Sequence, residues 1–273
     1  MSSLHFLQKG TGPVLIFIHN GGGFHQIWEK QIDQLSTRYT CLAIDLEGFG
    51  KSPDPLEEPT LEYHEKCLSK FIEEQNLNSY VLIGNCIGSS IALLHTLKNP
   101  DKVKSLILFN ICPGIRIYET PLARFLHKKL ILSDLLKDLI GGFIVKAMGG
   151  RRERKRLPAL LFGKDPDENS DLFKKFKEVY QTDKQKKSRL LLLQNIESFT
   201  TENYFKAKLL KTPTLLFWGD HNKIVDLKEG VRLKNLLKPE SFCVLENAGH
   251  MAMYENADEV NEKIENFLAK HIS

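Results

Sequence analysis

One cysteine stands where a buried apolar run meets a helix-forming one. Residues 79–83 read SYVLI, Gly84-Asn85-Cys86-Ile87-Gly88 follows, and the chain continues into the helical pattern IALLHTL. A sharp turn from strand to helix crowds the backbone, and glycine at both flanks relieves that crowding. The middle residue is pushed to the top of the sheet, at the N-terminus of the next helix. There the helix dipole favours thiolate over thiol, so Cys86 is expected to be an activated nucleophile. His19-Asn20-Gly21-Gly22-Gly23 closes an earlier apolar run. Its flexible backbone can aim N–H groups at a developing oxyanion, or form an ordinary turn. Glu246-Asn247-Ala248-Gly249-His250 follows the last apolar run, which gives the chain order nucleophile, acid region, histidine. A third glycine loop, Asp45-Leu46-Glu47-Gly48-Phe49-Gly50-Lys51-Ser52, reads as structural.

These loops need a rigid scaffold, and the apolar pattern supplies one. Residues 13–18, 40–46, 79–83, 103–109, 213–218 and 241–245 are short, continuously apolar runs, each closed by polar residues or glycine. Such runs read as strands buried on both faces. Residues 62–75 carry Cys67, Leu68, Phe71 and Ile72 at helical spacing. A helix ends at Asn99-Pro100, and a C-terminal helix places Val260, Ile264, Phe267 and Leu268 on one face. Alternating strands and helices predict an α/β fold: a mainly parallel central sheet with helices on both faces. The alternation breaks between about 114 and 208, where strand-like runs stop and helix formers take over. Residues 1–113 and 209–273 are read as the α/β core, and 114–208 as an inserted helical cap.

The chain of 273 residues carries a net charge of +4, too mild to imply nucleic acid. The charge is unevenly spread: residues 114–206 hold 20 basic against 12 acidic side chains. Arg151-Arg152-Glu153-Arg154-Lys155-Arg156 and Lys184-Gln185-Lys186-Lys187 concentrate it. Both runs read as solvated faces or as an attraction for an anionic substrate or carrier. Five scattered cysteines with no C-x-x-C pair read as free thiols in a reducing compartment, hence the cytoplasm. Cys41 and Cys243 lie inside strand runs and are expected to be small core residues. Cys112, near a strand end, is expected in the pocket wall or as a resolving thiol. No H-x-x-x-H or H-E-x-x-H pattern is present, so no metal and no cofactor are expected. No signal peptide is visible, and no apolar run has the length of a membrane span.

Taken together, the HNGGG strand end, the DLEGFGKS loop, the GNCIG elbow, the NPDKV stretch, FWGDHNKIV and ENAGHMAMYEN resemble, in order and spacing, the α/β-hydrolase superfamily. The closest pattern is its capped group of C–C bond hydrolases, haloalkane dehalogenases and small esterases. The resemblance covers most of the chain outside the cap. It implies that Cys86 is the nucleophile and His250 the general acid/base. It also implies an oxyanion hole built from the backbone N–H groups of Ile87 and of Gly21 or Asn20. Phe24, Trp28 and Asn85 would border the substrate.

Two positions depart from the usual pattern. Cysteine replaces serine, as in dienelactone hydrolases and polyhydroxyalkanoate synthases, whose elbows read G-x-C-x-G. The acid position holds Asn222, counted from Gly219, and the superfamily's alternative acid position falls on Asn110. A thiolate–imidazolium pair tolerates an amide partner, as the Cys-His-Asn arrangement of papain-like enzymes shows. The triad is therefore expected to be Cys86–His250–Asn222, with Asp220 as rival partner and Asp226 as a weaker one.

The expected activity is hydrolysis of an ester or thioester through a Cys-His acyl-enzyme. Two alternatives stand beside it: acyl transfer to an acceptor other than water, and a non-catalytic, ligand-binding homologue. The expected partner is a small-molecule acyl substrate, anionic or carrier-bound, such as a coenzyme A thioester, with neither nucleic acid nor stable membrane insertion.

Overall fold

The computed structural model describes residues 4–117, 160–163, 171–180, 182–199 and 211–272. The predicted helical run at 122–148 and the basic run at 151–156 lie outside them.

Seven strands form one sheet: β1 (Phe6–Lys9), β2 (Val14–Ile18), β3 (Thr40–Ile44), β4 (Tyr80–Asn85), β5 (Val103–Phe109), β6 (Thr214–Gly219) and β7 (Ser241–Leu245). Their order is β1-β3-β2-β4-β5-β6-β7. β1 runs antiparallel to β3 and every other neighbouring pair is parallel. Six of the seven strands are those the apolar runs predict. β1 is the addition: its sequence, FLQK, is short and mostly exposed, as suits an edge strand. At the opposite edge, β7 keeps Cys243 only half-buried, so this cysteine is not the core residue its apolar run suggests.

Each central strand is buried on both faces, and alternate residues feed two apolar layers. Tyr80 and Leu82 face one layer, together with Leu68, Ile91, Leu108 and Trp218. Val81 and Ile83 face the other, together with Phe17, Phe109, Phe217 and Val260. The second layer contains a stacked ring pair, Phe109 on Phe217, with centroids 4.5 Å apart. Truncating any of these fully buried rings or leucines would cost about 2–5 kcal/mol.

Helices α1 (Glu29–Leu35), α2 (Leu61–Glu74), α3 (Ile87–Lys98), α4 (Asp171–Tyr180), α5 (Asp183–Gln194), α6 (Leu227–Leu237), α7 (Ala252–Glu255) and α8 (Ala257–His271) occur among the described residues. α2 and α3 cover one face of the sheet, α1 and α8 the other. α4 and α5 come from the insertion. α5 lies on two glycine loops of the core: a Cβ on Gly21 would sit 2.5 Å from the Leu192 side chain, and one on Gly48 would sit 2.7 Å from the Ser188 hydroxyl. Of the basic run on α5, Lys184 hydrogen-bonds the Ser52 carbonyl and Lys186 pairs with Asp183 at 2.9 Å, while Lys187 is exposed. That run is therefore largely occupied within the fold.

Among the described residues no helix is long and apolar enough to cross a membrane.

Candidate active site

The elbow forms because β4 and α3 meet almost without clearance. A Cβ on Gly84 would lie 2.5 Å from the Gly88 carbonyl carbon, and one on Gly88 would run into the Ile18 carbonyl of β2. Between them, Cys86 adopts φ 54° and ψ −111°. That conformation costs a non-glycine residue about 1–3 kcal/mol and persists only where its surroundings enforce it. Here the Cys86 N–H is held by the Phe109 carbonyl at 2.9 Å, and its own carbonyl accepts from the Cys112 N–H at 3.2 Å.

The Cys86 side chain is buried, with 5% of its surface exposed. Its thiol is hydrogen-bonded to the thiol of Cys112, and the Ile87 N–H also points at its sulfur. The Cys112 contact and burial push the Cys86 pKa well above the usual thiol value, while the Ile87 amide opposes the rise. This overturns the expectation of a resting thiolate. One helix-terminal amide in a buried apolar setting does not outweigh the Cys112 contact and the loss of water.

His250 is also neutral at rest: burial lowers its pKa to about 4. Its ring Nδ1 lies 3.3 Å from Asn222 Oδ1, which also accepts from the N–H groups of Ile224 and Val225 at 3.0 and 3.1 Å. Neutral His250 therefore carries its proton on Nδ1 and leaves Nε2 as the basic nitrogen. The two rivals sit elsewhere. Asp220 Oδ1 is 2.7 Å from His221 Nδ1 and accepts from the Ala248 N–H at 3.1 Å; Asp226 caps α6 through the Lys228 N–H at 2.7 Å.

The backbone around His250 is held by two amides. Asn85 and Asn110 each donate from Nδ2 to the His250 carbonyl at 3.2 Å. Asn110 Oδ1 accepts from the Gly219 N–H at 3.2 Å, which ties β5 to β6 beneath the histidine loop. Asn110 thus has a positioning role that its sequence position, as a failed acid site, does not suggest. Asn85, expected beside the substrate, is turned to the histidine loop. Glu255 holds the same loop from outside, bridging the N–H groups of Gly249 and Gly163 at 2.8 and 2.7 Å.

The HNGGG loop is fixed by His19, whose Nδ1 donates to the Asn20 carbonyl at 2.7 Å while Nε2 accepts from the Leu46 N–H at 2.9 Å. Burial lowers its pKa to about 4, consistent with this single neutral tautomer. The Gly23 N–H is used within the turn, on the Asn20 carbonyl at 2.9 Å. Gly21 lies near Ile87, so the two expected oxyanion donors come from adjoining segments. Phe24 packs on Phe176 of α4, whereas Trp28 is fully buried in the second core layer against Phe17 and Phe109.

His5, His25 and Asp45 form the one cluster of metal-ligand type among the described residues. The Asp45 carboxylate accepts from His5 Nδ1 at 3.0 Å, His25 Nδ1 at 2.9 Å, the His25 N–H at 2.7 Å and the Lys51 N–H at 2.9 Å. Four donors fill its four lone-pair positions, so the cluster is a hydrogen-bonded hub between the N-terminal segment and the glycine loops.

This fold is that of the α/β hydrolases. The family model for the alpha/beta hydrolase fold matches residues 13–257, and the chain belongs to that family. Among its relatives is epoxide hydrolase 1 of Caenorhabditis elegans, 24% identical over 98% of this chain and 68% of that protein. Another is the 2-hydroxy-6-oxononadienedioate/2-hydroxy-6-oxononatrienedioate hydrolase of Escherichia coli K12, 24% identical over 98% of this chain and 91% of that one. In fold, the chain resembles a thermophilic esterase from Thermogutta terrifontis, with TM-score 0.79 and 19% identity over 99% of this chain and 94% of that one. The protein is an enzyme, a hydrolase of the α/β class.

Proposed function

We propose that the enzyme cleaves an ester or thioester through a Cys86 acyl-enzyme. The observation that carries this reading is the placement of Cys86 on the strained elbow, with the Ile87 N–H at its sulfur and His250 backed by Asn222. Because thiol and imidazole are both neutral at rest, the proton moves during attack rather than before it. As the Cys86 sulfur bonds to the acyl carbonyl carbon, His250 Nε2 takes the thiol proton. The Ile87 and Gly21 amides receive the oxyanion. His250 then returns the proton to the leaving alcohol or thiol, and water, deprotonated by His250, releases the acyl group.

Residues 114–208 act in this reading as a cap over the core, with Leu192 seated on Gly21. That apolar cover supports a second outcome, transfer of the acyl group to a non-water acceptor, since excluding water slows hydrolysis. The substrate is a small acyl compound. An anionic or carrier-bound form is supported by the basic balance of the insertion, of which Lys184 and Lys186 are engaged within the fold. The five cysteines, none of them in a disulfide, support a cytoplasmic setting.

Intact-mass spectrometry of wild type and Cys86→Ala after brief exposure to activated esters and acyl-CoA thioesters tests the proposal. An acyl adduct on wild type alone is expected, and its decay with and without added alcohol separates hydrolysis from transfer. The same adduct on Cys86→Ala, or turnover by that variant at the wild-type rate, would overturn it.

A further inference from the structure

We propose that Cys86 and Cys112 form an oxidation-sensitive dithiol, in which a peroxide-class oxidant closes the two sulfurs into a disulfide and takes Cys86 out of service. The two residues are bound to each other twice. The Cys112 N–H donates to the Cys86 carbonyl at 3.2 Å, and the two thiols are hydrogen-bonded. By standard backbone dimensions, one N–H···O bond of that length leaves the two Cα atoms about 5–6.5 Å apart. That spacing falls inside the ~4.4–6.8 Å that a disulfide spans. Ser90 holds the pair from below, its hydroxyl lying 3.5 Å from the Cys86 carbonyl and 3.3 Å from the Cys112 carbonyl. The remaining cysteines lack this arrangement. Cys41 lies within β3 and Cys67 within α2, both pushed up to about 12 by burial, and Cys243 sits on the far edge strand.

The chemistry balances with the peroxide as the only co-reactant. As the Cys86 sulfur attacks one peroxide oxygen, His250 takes the thiol proton, as it does in acylation, and the O–O bond breaks. The sulfur is oxidised to a sulfenic acid, and the departing hydroxide leaves as water with the thiol proton. The Cys112 sulfur then attacks the sulfenic sulfur, the S–O bond breaks, and a second water leaves with the Cys112 proton. Each peroxide thus yields one disulfide and two waters. Without Cys112 the sulfenic acid has no thiol within reach, and further peroxide carries it to the sulfinic acid, which thiol reductants do not reverse.

The bond itself does not depend on the acyl-enzyme reading, but the loss of activity on its formation does. The test therefore reads the bond directly. Folded wild-type protein is treated with hydrogen peroxide, quenched, denatured and alkylated, then measured intact and after digestion. The expected product has lost two hydrogens, joins the Cys86 and Cys112 peptides, and reverts with dithiothreitol. Acylation by an activated ester falls in proportion to the linked fraction and returns on reduction. Cys112→Ala and the more conservative Cys112→Ser are expected instead to gain two oxygens on Cys86 irreversibly. A sulfinic acid on wild-type Cys86 with Cys112 still open to alkylation would overturn the proposal, as would a disulfide joining any other pair. If the Cys86–Cys112 bond forms while no acyl adduct is ever seen on reduced protein, the dithiol stands and the acyl-enzyme reading fails.

Discussion

Replacing Asn222 by aspartate should give His250 a carboxylate partner, and the structure indicates how large the effect would be. Asn222 Oδ1 accepts from Ile224, Val225 and His250, while its Nδ2 is buried with no hydrogen-bond partner among the described residues. Asn222→Asp therefore loses no hydrogen bond, and the new charge meets two N–H groups already aimed at it. A carboxylate and an imidazolium with charge centres about 5 Å apart attract by roughly 3 kcal/mol at an effective dielectric constant near 20. Part of that is offset by burying the carboxylate, which leaves an upward shift of about 1–2 pKa units on His250. Burial holds His250 at about 4 in the wild type. The base must be neutral to accept the thiol proton, so wild-type acylation should lose rate only as pH falls towards 4. Asn222→Asp should lose it one to two units higher. At neutral pH the variant should acylate about 10- to 100-fold faster, because the imidazolium that forms during attack is now paired. The assay is the pH dependence of kcat/KM with a chromogenic ester, beside Asp220→Asn as control. The reasoning fails if the Asn222→Asp profile superimposes on the wild type, or if Asp220→Asn moves the acid limb instead.

Three further outcomes follow from the same geometry. His19, His64 and His250 are buried neutral at about 4, 3 and 4, below the ordinary histidine value of 6.5, so the unfolded chain binds more protons than the native one as pH falls below that value. Stability should therefore drop from about pH 6.5 towards pH 4, each histidine contributing up to about 3 kcal/mol at the acid end, measurable as urea midpoints across that range. Asn110→Ala removes the ties to the His250 carbonyl and the Gly219 N–H and should cost about 2–4 kcal/mol, with kcat falling more than KM rises; an unchanged kcat would remove Asn110 from the positioning of His250. Gly21→Ala drives a methyl into Leu192, so acylation should fall about 100-fold while the unfolding midpoint moves little, and wild-type kinetics would show that the Gly21 segment plays no part in the reaction.

Much of this was legible in the sequence wherever the physics is local. Continuous apolar runs marked the six parallel strands because strands buried on both faces have no polar side to show. β1 escaped because four residues at an exposed edge carry no such signal. The elbow could be read from its two glycines, since their necessity comes from the β4–α3 crossing itself. Asn222 could be reached by counting from Gly219, and its Oδ1 lies 3.3 Å from His250 Nδ1. The protonation state of Cys86 could not be read, because the thiol beside it arrives from residue 112 through a backbone bond that no spacing announces. The amides of Asn85 and Asn110 meet the His250 carbonyl from 165 and 140 positions away, and the Asp45 hub gathers donors from three separate segments. Such contacts belong to the folded sheet rather than to any segment of chain.

The seating of α5 on the glycine loops has a consequence in time. Leu192 occupies the space directly above Gly21, and Arg189 and Tyr180 close over Gly22, where a Cβ would meet each at 3.0 Å. In the proposed mechanism an acyl oxygen bound for the Gly21 amide has to pass these side chains. Admission of the substrate then becomes a separate event with its own clock. For good leaving groups the enzyme should reach a ceiling rate set by the lifting of α5, indifferent to the ester supplied and slowed by a more viscous solvent.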